Sequence, residues 1–390
     1  MDAALPRISL AASLASVSPA DWNPVANPPG LAYDPFVSWE FLEAMESSGA
    51  ASRRTGWAGQ HLLVLDAGGR LRGAMPVWLK SHSRGEFVFD QSWAEAWERA
   101  GGSYYPKLLS AVPFTPVTGR RLLTAPGPDE AMIRTALVQG ALELAKQTGV
   151  SSLHVNFIEP ELAPLLEREG MLIRTDQQFH WVNAGYASFD DFLSTLTSEK
   201  RKNLRKERAK AQGGLTFRHI TGEEITEEHL DIFFDFYMDT GSRKWGSPYL
   251  NRRTFSILRE RMAKDILFVF AYEGETAIAG AMNMIGSETL YGRYWGCIDA
   301  RPMLHFETCY YQAIDYAIAH GLKTVEAGAQ GGHKLARGYG PVMTYSAHWI
   351  AHEGFREAVA DYLRRERAAV DADMAFLHER TPFRKDQSSP

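Results

Sequence analysis

The sequence predicts an α/β (α+β) fold of two related domains in tandem, each with a mixed, mostly antiparallel sheet flanked by helices. Two observations predict it: the length of the chain, and a strand and helix pattern that occurs twice. With 390 residues, the chain is too long for one ordinary hydrophobic core and suits two. Strands mixed with helices in each half favour a sandwich of sheet and helices over a helical bundle.

The first repeated element is a hairpin. Residues 61–80 (HLLVLDAGGRLRGAMPVWLK) and residues 267–286 (LFVFAYEGETAIAGAMNMIG) both show a short apolar strand, a polar turn with glycine, and a second strand containing Gly-Ala-Met. Polar, glycine-containing turns between apolar runs are typical of β-hairpins. The two copies are 206 residues apart.

The second repeated element is a helix, a glycine and a strand. It occupies residues 130–157 and 305–329, where Gly149 and Gly321 resemble the glycines that end helices. These copies are 172 residues apart, so the first half holds about 34 more residues, at roughly 81–120 and rich in aromatic residues and proline. Two matches in the same order favour duplication over chance similarity.

The pattern predicts two domains, residues 1–185 and 186–390. The first contains the segment at about 81–120, and the second begins with a junction over residues 186–215 and ends in a charged helical tail. In the second half, the strand of the second repeated element contains a glutamate, Glu326. The equivalent residue in the first half is His154, so the fold alone does not require a glutamate at this position. We therefore place the active site in the second domain.

Composition excludes several classes of protein. Hydrophobic residues make up 45% and charged residues 23%, which is ordinary for a globular protein. A net charge of −5 gives no global attraction to nucleic acid or membrane. Two cysteines are too few for a disulfide framework or a zinc cluster, and no metal motif occurs, so we expect no metal and a reducing, cytoplasmic location. No stretch is apolar enough to span a bilayer.

A predicted strand over residues 289–296 carries an arginine among aromatic residues. Period-two alternation puts Tyr291, Arg293 and Trp295 on one face. The other face carries Gly292, Tyr294 and Gly296. Because a buried arginine needs a partner, we interpret the first face as a binding wall with one cation. The alternative is an edge strand with an exposed arginine.

A helix is predicted from about residue 305 to residue 319, and its first turn holds His305 and Glu307. The free backbone N–H groups and positive dipole end at a helix start suit an anionic group. For Glu307, the alternative is a charge that complements the helix dipole.

Glu326 stands in an otherwise small and apolar strand that leads into a glycine-rich segment. A buried carboxylate is costly unless it is paired, and its pKa tends to rise, which suits a general base acting on an amine or hydroxyl. His333, Lys334 and Arg337 follow within five residues of one another, a grouping that would bind phosphates or a carboxylate. The segment lacks the spacing of a nucleotide-binding P-loop. The alternative is a basic loop that ties two strands together through Glu326.

Residues 198–210 (SEKRKNLRKERAK) form a predicted helix with seven lysines or arginines. Lys202 and Lys206 share one face, and a second stripe contains Arg201, Arg205 and Arg208. Such a helix could bind the phosphates of RNA, including a tRNA, or of a nucleotide-linked substrate. The simpler alternative is a solvated helix.

Two further segments are interpreted as pocket linings. The aromatic-tipped loop at residues 240–246 contributes Arg243, Lys244 and Trp245, and loops of this kind often line pockets. In the first half, a proline-containing stretch contributes Tyr105 and Lys107, where the prolines would fix the chain without sheet pairing. A purely structural strap is the alternative for this stretch.

Five stretches together resemble the bacterial FemAB-like predicted N-acyltransferases, and the resemblance covers nearly the whole chain. They are Tyr104-Tyr105-Pro106-Lys107, the segment VPFTPVTG at 112–119, TGSRKWG at 240–246, LYGRYWG at 290–296 and EAGAQG at 326–331. The resemblance implies two GNAT (N-acetyltransferase-like) domains in tandem and transfer of an acyl or aminoacyl group to an amine. Fem peptidyltransferases, which resemble the chain more distantly, take the amino acid from aminoacyl-tRNA.

One departure from the resemblance bears on the donor. Acetyl-CoA-dependent members carry an Arg/Gln-x-x-Gly-x-Gly/Ala loop, where this chain reads Arg301-Pro302-Met303-Leu304-His305-Phe306. Both glycine positions are lost, so backbone N–H groups are not expected to cradle a pyrophosphate there. We expect no permanently bound cofactor and an acyl-CoA or aminoacyl-tRNA cosubstrate, with the departure favouring aminoacyl-tRNA or another carrier.

The leading hypothesis is an N-acyltransferase with a peptide or cell-wall precursor as amine acceptor, and with its cleft where the strands of Tyr291–Trp295 and Glu326 splay apart. Catalysis is assigned to Glu326, as the general base or the anchor of the substrate amine, and to His333 and Tyr294. Substrate and donor binding is assigned to Arg293, Trp295, His305, Lys334, Arg337, Arg243, Lys244, Trp245, Tyr105 and Lys107. The competing hypothesis is a non-catalytic module of the same fold that binds a nucleotide-linked precursor or RNA.

Overall fold

A computed structural model describes residues 7–243, 248–328 and 331–384, without the side chains of residues 242 and 243. Its strands are β1 (Arg7–Ala11), β2 (Trp57–Gly59), β3 (His61–Leu65), β4 (Leu71–Met75), β5 (Trp78–Lys80), β6 (Lys107–Ser110), β7 (Leu123–Thr124), β8 (Ser152–Ile158), β9 (Leu172–Val182), β10 (Thr216–Thr221), β11 (Ile266–Glu273), β12 (Thr276–Ile285), β13 (Thr289–Cys297), β14 (Thr324–Glu326) and β15 (Gly340–Ile350). Its helices are α1 (Pro19–Ala26), α2 (Trp39–Ser47), α3 (Gln91–Arg99), α4 (Glu130–Thr148), α5 (Ala163–Arg168), α6 (Phe189–Thr195), α7 (Ser198–Gln212), α8 (Glu227–Arg243), α9 (Arg252–Met262), α10 (Leu304–Phe306), α11 (Gln312–Ala319) and α12 (Glu353–Glu379).

The chain divides into two compact units, unit 1 with residues 1–176 and 343–372, and unit 2 with residues 177–342 and 373–390. This division differs from the predicted 1–185 and 186–390. The C-terminal part of β15 and most of α12 belong to unit 1, where Ile350 and Phe355 share a core cluster with Tyr104. The local composition of residues 343–372 does not reveal that they pack in unit 1. Their position depends on which hydrophobic core offers a complementary surface.

Unit 1 contains a four-stranded antiparallel sheet in the order β1-β3-β4-β7, and a second run of strands in the order β15-β8-β6-β5-β2. In the second run only β6 and β8 pair in parallel. Helix α4 buries Leu137 and Val138 in one core cluster with Leu62 of β3 and Leu153 of β8. Burying each such side chain contributes roughly 1.5–3 kcal/mol, which holds the helix on the strands.

Unit 2 is built on strands in the order β10-β11-β12-β13-β14-β9, to which β9 contributes its residues 177–182. Strands β10 to β13 are antiparallel, whereas β13 and β14 run parallel. The core on one face includes Leu290 and Val325 from the parallel pair and Ile314 from α11. The parallel pair is therefore anchored at its start by apolar packing.

Both predicted repeats are present in the structure. The two hairpins are β3–β4 and β11–β12, each antiparallel. Gly149 and Gly321 follow α4 and α11 with the same φ of 65°, a conformation that glycine adopts without steric cost. One expectation about the first half is wrong: Lys107 begins β6, which pairs with β5 and β8, so the proline-containing stretch does not avoid the sheet.

Within the part of the chain that the structure describes, no helix is both long and apolar enough to cross a membrane.

Candidate active site

The candidate site lies where β13 and β14 separate. The two strands pair in parallel over three residues each, ending at Tyr291 and Glu326, and β13 then continues alone to Cys297. The gap opens into a cleft at the position that the sequence predicts. Its walls are formed by Ala281, Met282, Asn283, Gly292, Arg293, Tyr294, Trp295, His305, Cys309, Tyr310 and Ala327.

A β-bulge in β13 determines which side chains reach the cleft. Met282 of β12 lies opposite Tyr294, and the next residue, Asn283, lies opposite Gly292, so Arg293 is the extra residue. A bulge breaks the alternation of a strand and redirects a side chain. Four consecutive residues, 292–295, consequently line the cleft. The predicted division of Tyr291–Trp295 into two alternating faces is therefore wrong at this point.

Arg293 and Glu326 form a buried ion pair. The Arg293 Nη2 donates to Glu326 Oε2 over 3.0 Å, and the two side chains are only 2% and 8% exposed. The guanidinium also lies over the ring of Tyr291, at 5.2 Å from its centre. Because the guanidinium occupies one carboxylate oxygen, Glu326 holds the orientation of Arg293. Glu326 is not among the residues that form the cleft walls, so a positioning role suits it better than contact with the amine.

His180 on β9 is a neighbour of Glu326 that the sequence reasoning missed. It lies opposite Glu326 in the antiparallel β14–β9 pair, with Nε2 at 3.8 Å from Glu326 Oε1. Burial lowers the pKa of His180, although the carboxylate of Glu326 opposes that shift. A neutral imidazole beside the ion pair leaves the charges of Arg293 and Glu326 matched one to one.

The helix after β13 forms the opposite wall of the cleft. Helix α10 continues through a π-helical segment, Glu307–Tyr311, into α11. Such π-helical turns are frequent at functional sites. Here the segment places Cys309 and Tyr310 on the cleft together with His305.

Glu307 serves packing instead of the helix dipole or a ligand. It is fully buried and accepts hydrogen bonds from Arg208, Gln212 and Gln312. Arg208 also binds Asp315, so its charge is compensated on the inner side of α7. This arrangement removes Arg208 from the predicted exposed basic stripe.

Tyr310 and His333 form a hydrogen-bonded pair at the cleft. The Tyr310 hydroxyl lies 3.0 Å from His333 Nε2, and His333 is on the exposed side of a 3₁₀ helix, Gly332–Arg337. Burial raises the pKa of Tyr310 well above its ordinary value. Burial and the neighbouring Arg337 and Lys334 charges lower the pKa of His333. Near neutral pH both groups are uncharged, which suits transfer of a proton from the cleft towards solvent.

Lys334 and Arg337 do not present free charges to a ligand in this structure. Lys334 is buried and donates to the carbonyl of Gly328 over 2.8 Å, and burial lowers its pKa to about 8. Arg337 donates to Glu207 over 2.8 Å and lies over the ring of Phe306. The prediction that these two residues hold donor phosphates is therefore wrong for this arrangement. These hydrogen bonds hold the loop in place. The alternative hypothesis of a basic loop bound to Glu326 also differs from the structure, because the partners are Gly328 and Glu207.

The remaining predicted residues divide into three groups. Tyr294, Trp295 and His305 line the cleft, and the rings of Trp295 and His305 lie 5.2 Å apart. Arg243 ends α8 with its side chain outside the described residues. Lys244 and Trp245 also lie outside the described residues.

Tyr105 and Lys107 belong to a buried polar cluster in unit 1. Lys107 Nζ is fully buried and donates to Asp90, Glu86 and Ser83, and the Tyr105 hydroxyl meets the same Ser83. An ammonium group with three internal partners compensates interior carboxylates, so the predicted donor contact of Lys107 is contradicted by its burial.

The exposed side of α7 forms a basic surface. An open groove along this helix is lined by Ser198, Arg201, Lys202, Arg205, Lys206 and Ala209. Arg205 has an exposed partner in Asp190, and an exposed ion pair of this kind restrains a side chain only weakly. The predicted basic helix is therefore present, with its charges on the solvent side and Arg208 on the inner side.

Sequence reasoning also missed Asn283, Cys309 and Tyr310. Asn283 stands in an apolar hairpin strand, where a buried amide is unusual, and that composition was the available signal. Cys309 and Tyr310 carried no local signal. Their approach to the cleft depends on the π-helical segment, which changes the helical period.

Comparisons with known proteins agree with this architecture. The model of the FemAB-like family, described as peptidoglycan biosynthesis/recognition, matches residues 13–385. Comparison with curated protein sequences gives no match. Similar solved structures include FemX, at 12% identity with a TM-score of 0.54, covering 88% of this chain and 98% of FemX.

Two further similar structures have TM-scores above 0.5. The C-terminal domain of a putative lysylphosphatidylglycerol synthetase from Agrobacterium fabrum has 10% identity and a TM-score of 0.52, covering 90% of this chain and 97% of that one. L-PGS from Bacillus licheniformis has 12% identity and a TM-score of 0.51, covering 86% and 98%. At such identities the similarity shows the fold. The predicted α/β class, with mixed, mostly antiparallel sheets flanked by helices in two units, is confirmed.

Proposed function

The chain belongs to the FemAB-like family, and from that premise we propose that it is an N-acyltransferase that moves an acyl or aminoacyl group from an activated carrier to an amine. The observation that carries the proposal is the cleft between the separated β13 and β14, which holds a fixed guanidinium on one wall and the Tyr310–His333 pair on the other. Acyl transfer to an amine needs both functions: stabilisation of a developing oxyanion, and removal of a proton from the amine.

In the proposed reaction, the amine nitrogen attacks the acyl carbonyl carbon, and the C–N bond forms as the bond to the carrier breaks. Arg293 donates a hydrogen bond to the carbonyl oxygen as negative charge develops there. Its orientation is fixed in advance by Glu326 and Tyr291, so no reorganisation is needed during the reaction.

The amine proton passes to the Tyr310 oxygen as the Tyr310 proton passes to His333 Nε2. The carrier's oxygen or sulfur leaves with a proton from solvent. His333 replaces Glu326 as the proposed base, because His333 is hydrogen-bonded to a cleft residue whereas Glu326 is held by Arg293.

For the donor, we propose an aminoacyl-tRNA in preference to acyl-CoA. Arg301, which begins the altered loop, binds Asp299 and Glu273 at the surface. The basic side of α7 offers a surface for polyanionic phosphates. For the acceptor we propose the amine of a cell-wall precursor peptide, which the description of the family supports.

A transfer assay tests the proposal. The full chain would be incubated with a UDP-linked muropeptide bearing a free stem-peptide amine, and with either charged bulk tRNA or acetyl-CoA. We expect mass spectrometry to detect the muropeptide plus one amino-acid residue only in the presence of charged tRNA. An acetylated product would instead identify acyl-CoA as the donor class, and no modified muropeptide with either donor would contradict this function.

A further inference from the structure

Asn283 presents a buried acceptor oxygen to the cleft. It lies on β12 with 1% exposure and is part of the cleft wall. Its Nδ2 donates to the carbonyl of Leu267, its cross-strand partner, over 3.3 Å. This bond fixes which way the amide faces. The other atom, Oδ1, has no hydrogen-bond partner among the described residues.

An unpaired acceptor in this position is costly. A buried polar atom that gave up its water on folding and gained no partner destabilises the protein. The strand neighbours of Asn283 are Met282 and Met284, so the strand accepts apolar side chains at adjacent positions. An oxygen kept unpaired at the wall of a cleft indicates a ligand that donates a hydrogen bond to it.

The space in front of this oxygen is kept open by Gly292. A Cβ atom added to Gly292 would lie 3.4 Å from Asn283 Oδ1 and 3.3 Å from the carbonyl oxygen of Glu326. The φ of Gly292 is outside the left-handed region, so its backbone does not require glycine. The missing side chain therefore creates a niche, and two acceptor oxygens border it where β13 and β14 separate.

We infer that Asn283 binds the nucleophilic amine of the acceptor in its neutral form, with Oδ1 accepting one N–H in the Gly292 niche. The inference rests on the proposed function and adds a residue that determines acceptor binding. A primary amine carries two N–H donors, so one can bind Asn283 Oδ1 while the other remains available for transfer to Tyr310. An amide oxygen is uncharged, so it orients the amine without stabilising its protonated, non-nucleophilic form.

The charges around the niche favour the same form of the amine. The charges of Arg293 on β13 and Glu326 on β14 compensate each other, so this pair gives an ammonium ion no net attraction. Tyr294 on β13, together with His305, Cys309 and Tyr310 from the helix that faces it, completes the titratable groups of the cleft wall. The niche thus offers an ammonium ion no unpaired carboxylate among the described groups.

Two variants of the full chain test the inference. Asn283→Leu keeps the approximate volume and removes the acceptor, and Gly292→Ala fills the niche. With charged tRNA and the UDP-linked muropeptide, we expect kcat/KM for the muropeptide to fall about 10- to 100-fold in each. The loss should appear mainly as a raised KM for the muropeptide, with the KM for charged tRNA little changed.

Asn283→Asp tests the pH dependence of activity, which should not change if Asn283 has a purely structural role. The aspartate keeps an acceptor oxygen but adds a negative charge that favours the ammonium form. The pH at which the activity reaches its maximum should therefore be higher in Asn283→Asp than in wild type. Asn156→Leu is the matched control, because Asn156 is an equally buried asparagine of unit 1 with an unpartnered Oδ1. It should leave the KM for the muropeptide unchanged.

The outcomes separate this inference from the proposed function. If wild type transfers and Asn283→Leu keeps its KM for the muropeptide, the inference is overturned and the function stands. If wild type transfers nothing, calorimetry measures its affinity for the muropeptide and for the N-acetylated muropeptide, and the comparison tests amine binding directly. A preference for the free amine that disappears in Asn283→Leu supports amine binding, and equal affinity of wild type for both peptides overturns it.

Discussion

At the scale of single residues, the partner of Glu326 changes what this residue can do. A lone buried carboxylate would suit proton transfer, whereas a carboxylate bonded to Arg293 suits the positioning of a cation. The proton-transfer role then belongs to Tyr310 and His333, which are bonded to each other and differ from Glu326 in carrying no formal charge near neutral pH.

Glu326→Gln should lower stability as well as activity. The change leaves the Arg293 charge buried without its counter-ion, so we expect the free energy of unfolding to fall by about 3 kcal/mol. The double variant Arg293→Gln, Glu326→Gln should recover part of that loss. Urea unfolding of the two variants measures both values. The control is Glu273→Gln, which breaks an exposed pair with Arg301 and should change stability little. Equal effects of Glu326→Gln and Glu273→Gln would contradict a buried ion pair.

Tyr310→Phe should reduce kcat about 100-fold with little change in KM, because the phenol is proposed to carry the amine proton. Steady-state kinetics measure the two parameters separately. Tyr316→Phe on the same helix is the matched control, since Tyr316 packs on His320 and is not part of the cleft wall. A normal kcat in Tyr310→Phe would remove the hydroxyl from the mechanism.

The pH dependence of kcat/KM should reflect His333. Its neutral form accepts the proton, and its pKa is lowered by burial and by Arg337 and Lys334. A lowered pKa means that His333 remains neutral at pH 7, so activity should fall only when the pH drops below the ordinary histidine value of about 6.5. His333→Gln should lack this acidic limb. An unchanged pH profile in that variant would exclude His333 as the titrating group.

At the scale of secondary-structure elements, two irregularities form the site. The bulge at Arg293 and the π-helical segment Glu307–Tyr311 each depart from a regular period, and each delivers side chains to the cleft. Gly296 shows a different constraint: an added Cβ would lie 2.1 Å from the carbonyl oxygen of Phe236 on α8. That glycine of the LYGRYWG segment serves the packing of α8, whereas Gly292 leaves space at the site.

The basic side of α7 should bind polyanions in a salt-dependent manner. Lys202→Glu together with Lys206→Glu should weaken tRNA binding and reduce the slope of log K against log salt by about 1.4 to 1.8, as expected for two lost phosphate contacts. Filter binding at several salt concentrations measures the slope. Arg218→Glu, an exposed change elsewhere in unit 2, makes half that change in net charge (about −2 against about −4) and should leave the slope nearly unchanged. Equal slopes for wild type and the double variant would place the tRNA contact elsewhere.

At the scale of the whole molecule, the two repeats have different interiors. In unit 2 the separated strands enclose a cleft, whereas the corresponding strand of unit 1, β8, carries His154 in a buried cluster. His154 Nδ1 lies 2.6 Å from His348 Nδ1, so one ring nitrogen must donate and the other must accept. Two neutral histidines satisfy this contact, and two charged ones cannot.

Unit 1 should therefore lose stability in acid before unit 2. Burial lowers the pKa of His154 to about 3 and that of His348 well below its ordinary value, despite the opposing influence of Asp90. The unfolded chain binds these protons at a higher pH than the folded chain, so stability is full above about pH 6.5 and falls as the pH decreases towards 3. Lys107 and Arg174 add to the cost of a charged imidazole.

Hydrogen exchange, corrected for the intrinsic effect of pH, tests this expectation. Between pH 7 and pH 5, peptides from β8 should lose more protection than peptides from β12. His348→Gln, which keeps hydrogen-bonding capacity and does not titrate, should reduce the difference. Equal loss in both strands would show that the histidine pair does not set the acid sensitivity of unit 1.

The sequence by itself determined the duplication, the hairpins, the helix-ending glycines and the strand that borders the cleft. These features follow from side-chain periodicity and backbone preference, which act over a few residues. Only the tertiary structure decided that Arg293 binds Glu326, that Lys334, Arg337 and Lys107 turn inward, that residues 343–372 join unit 1, and that Asn283 and Tyr310 face the cleft. Those outcomes depend on which residues, distant in the sequence, become neighbours in the folded chain. A buried charge is costly without a partner, and the sequence near that charge does not say which residue the partner is.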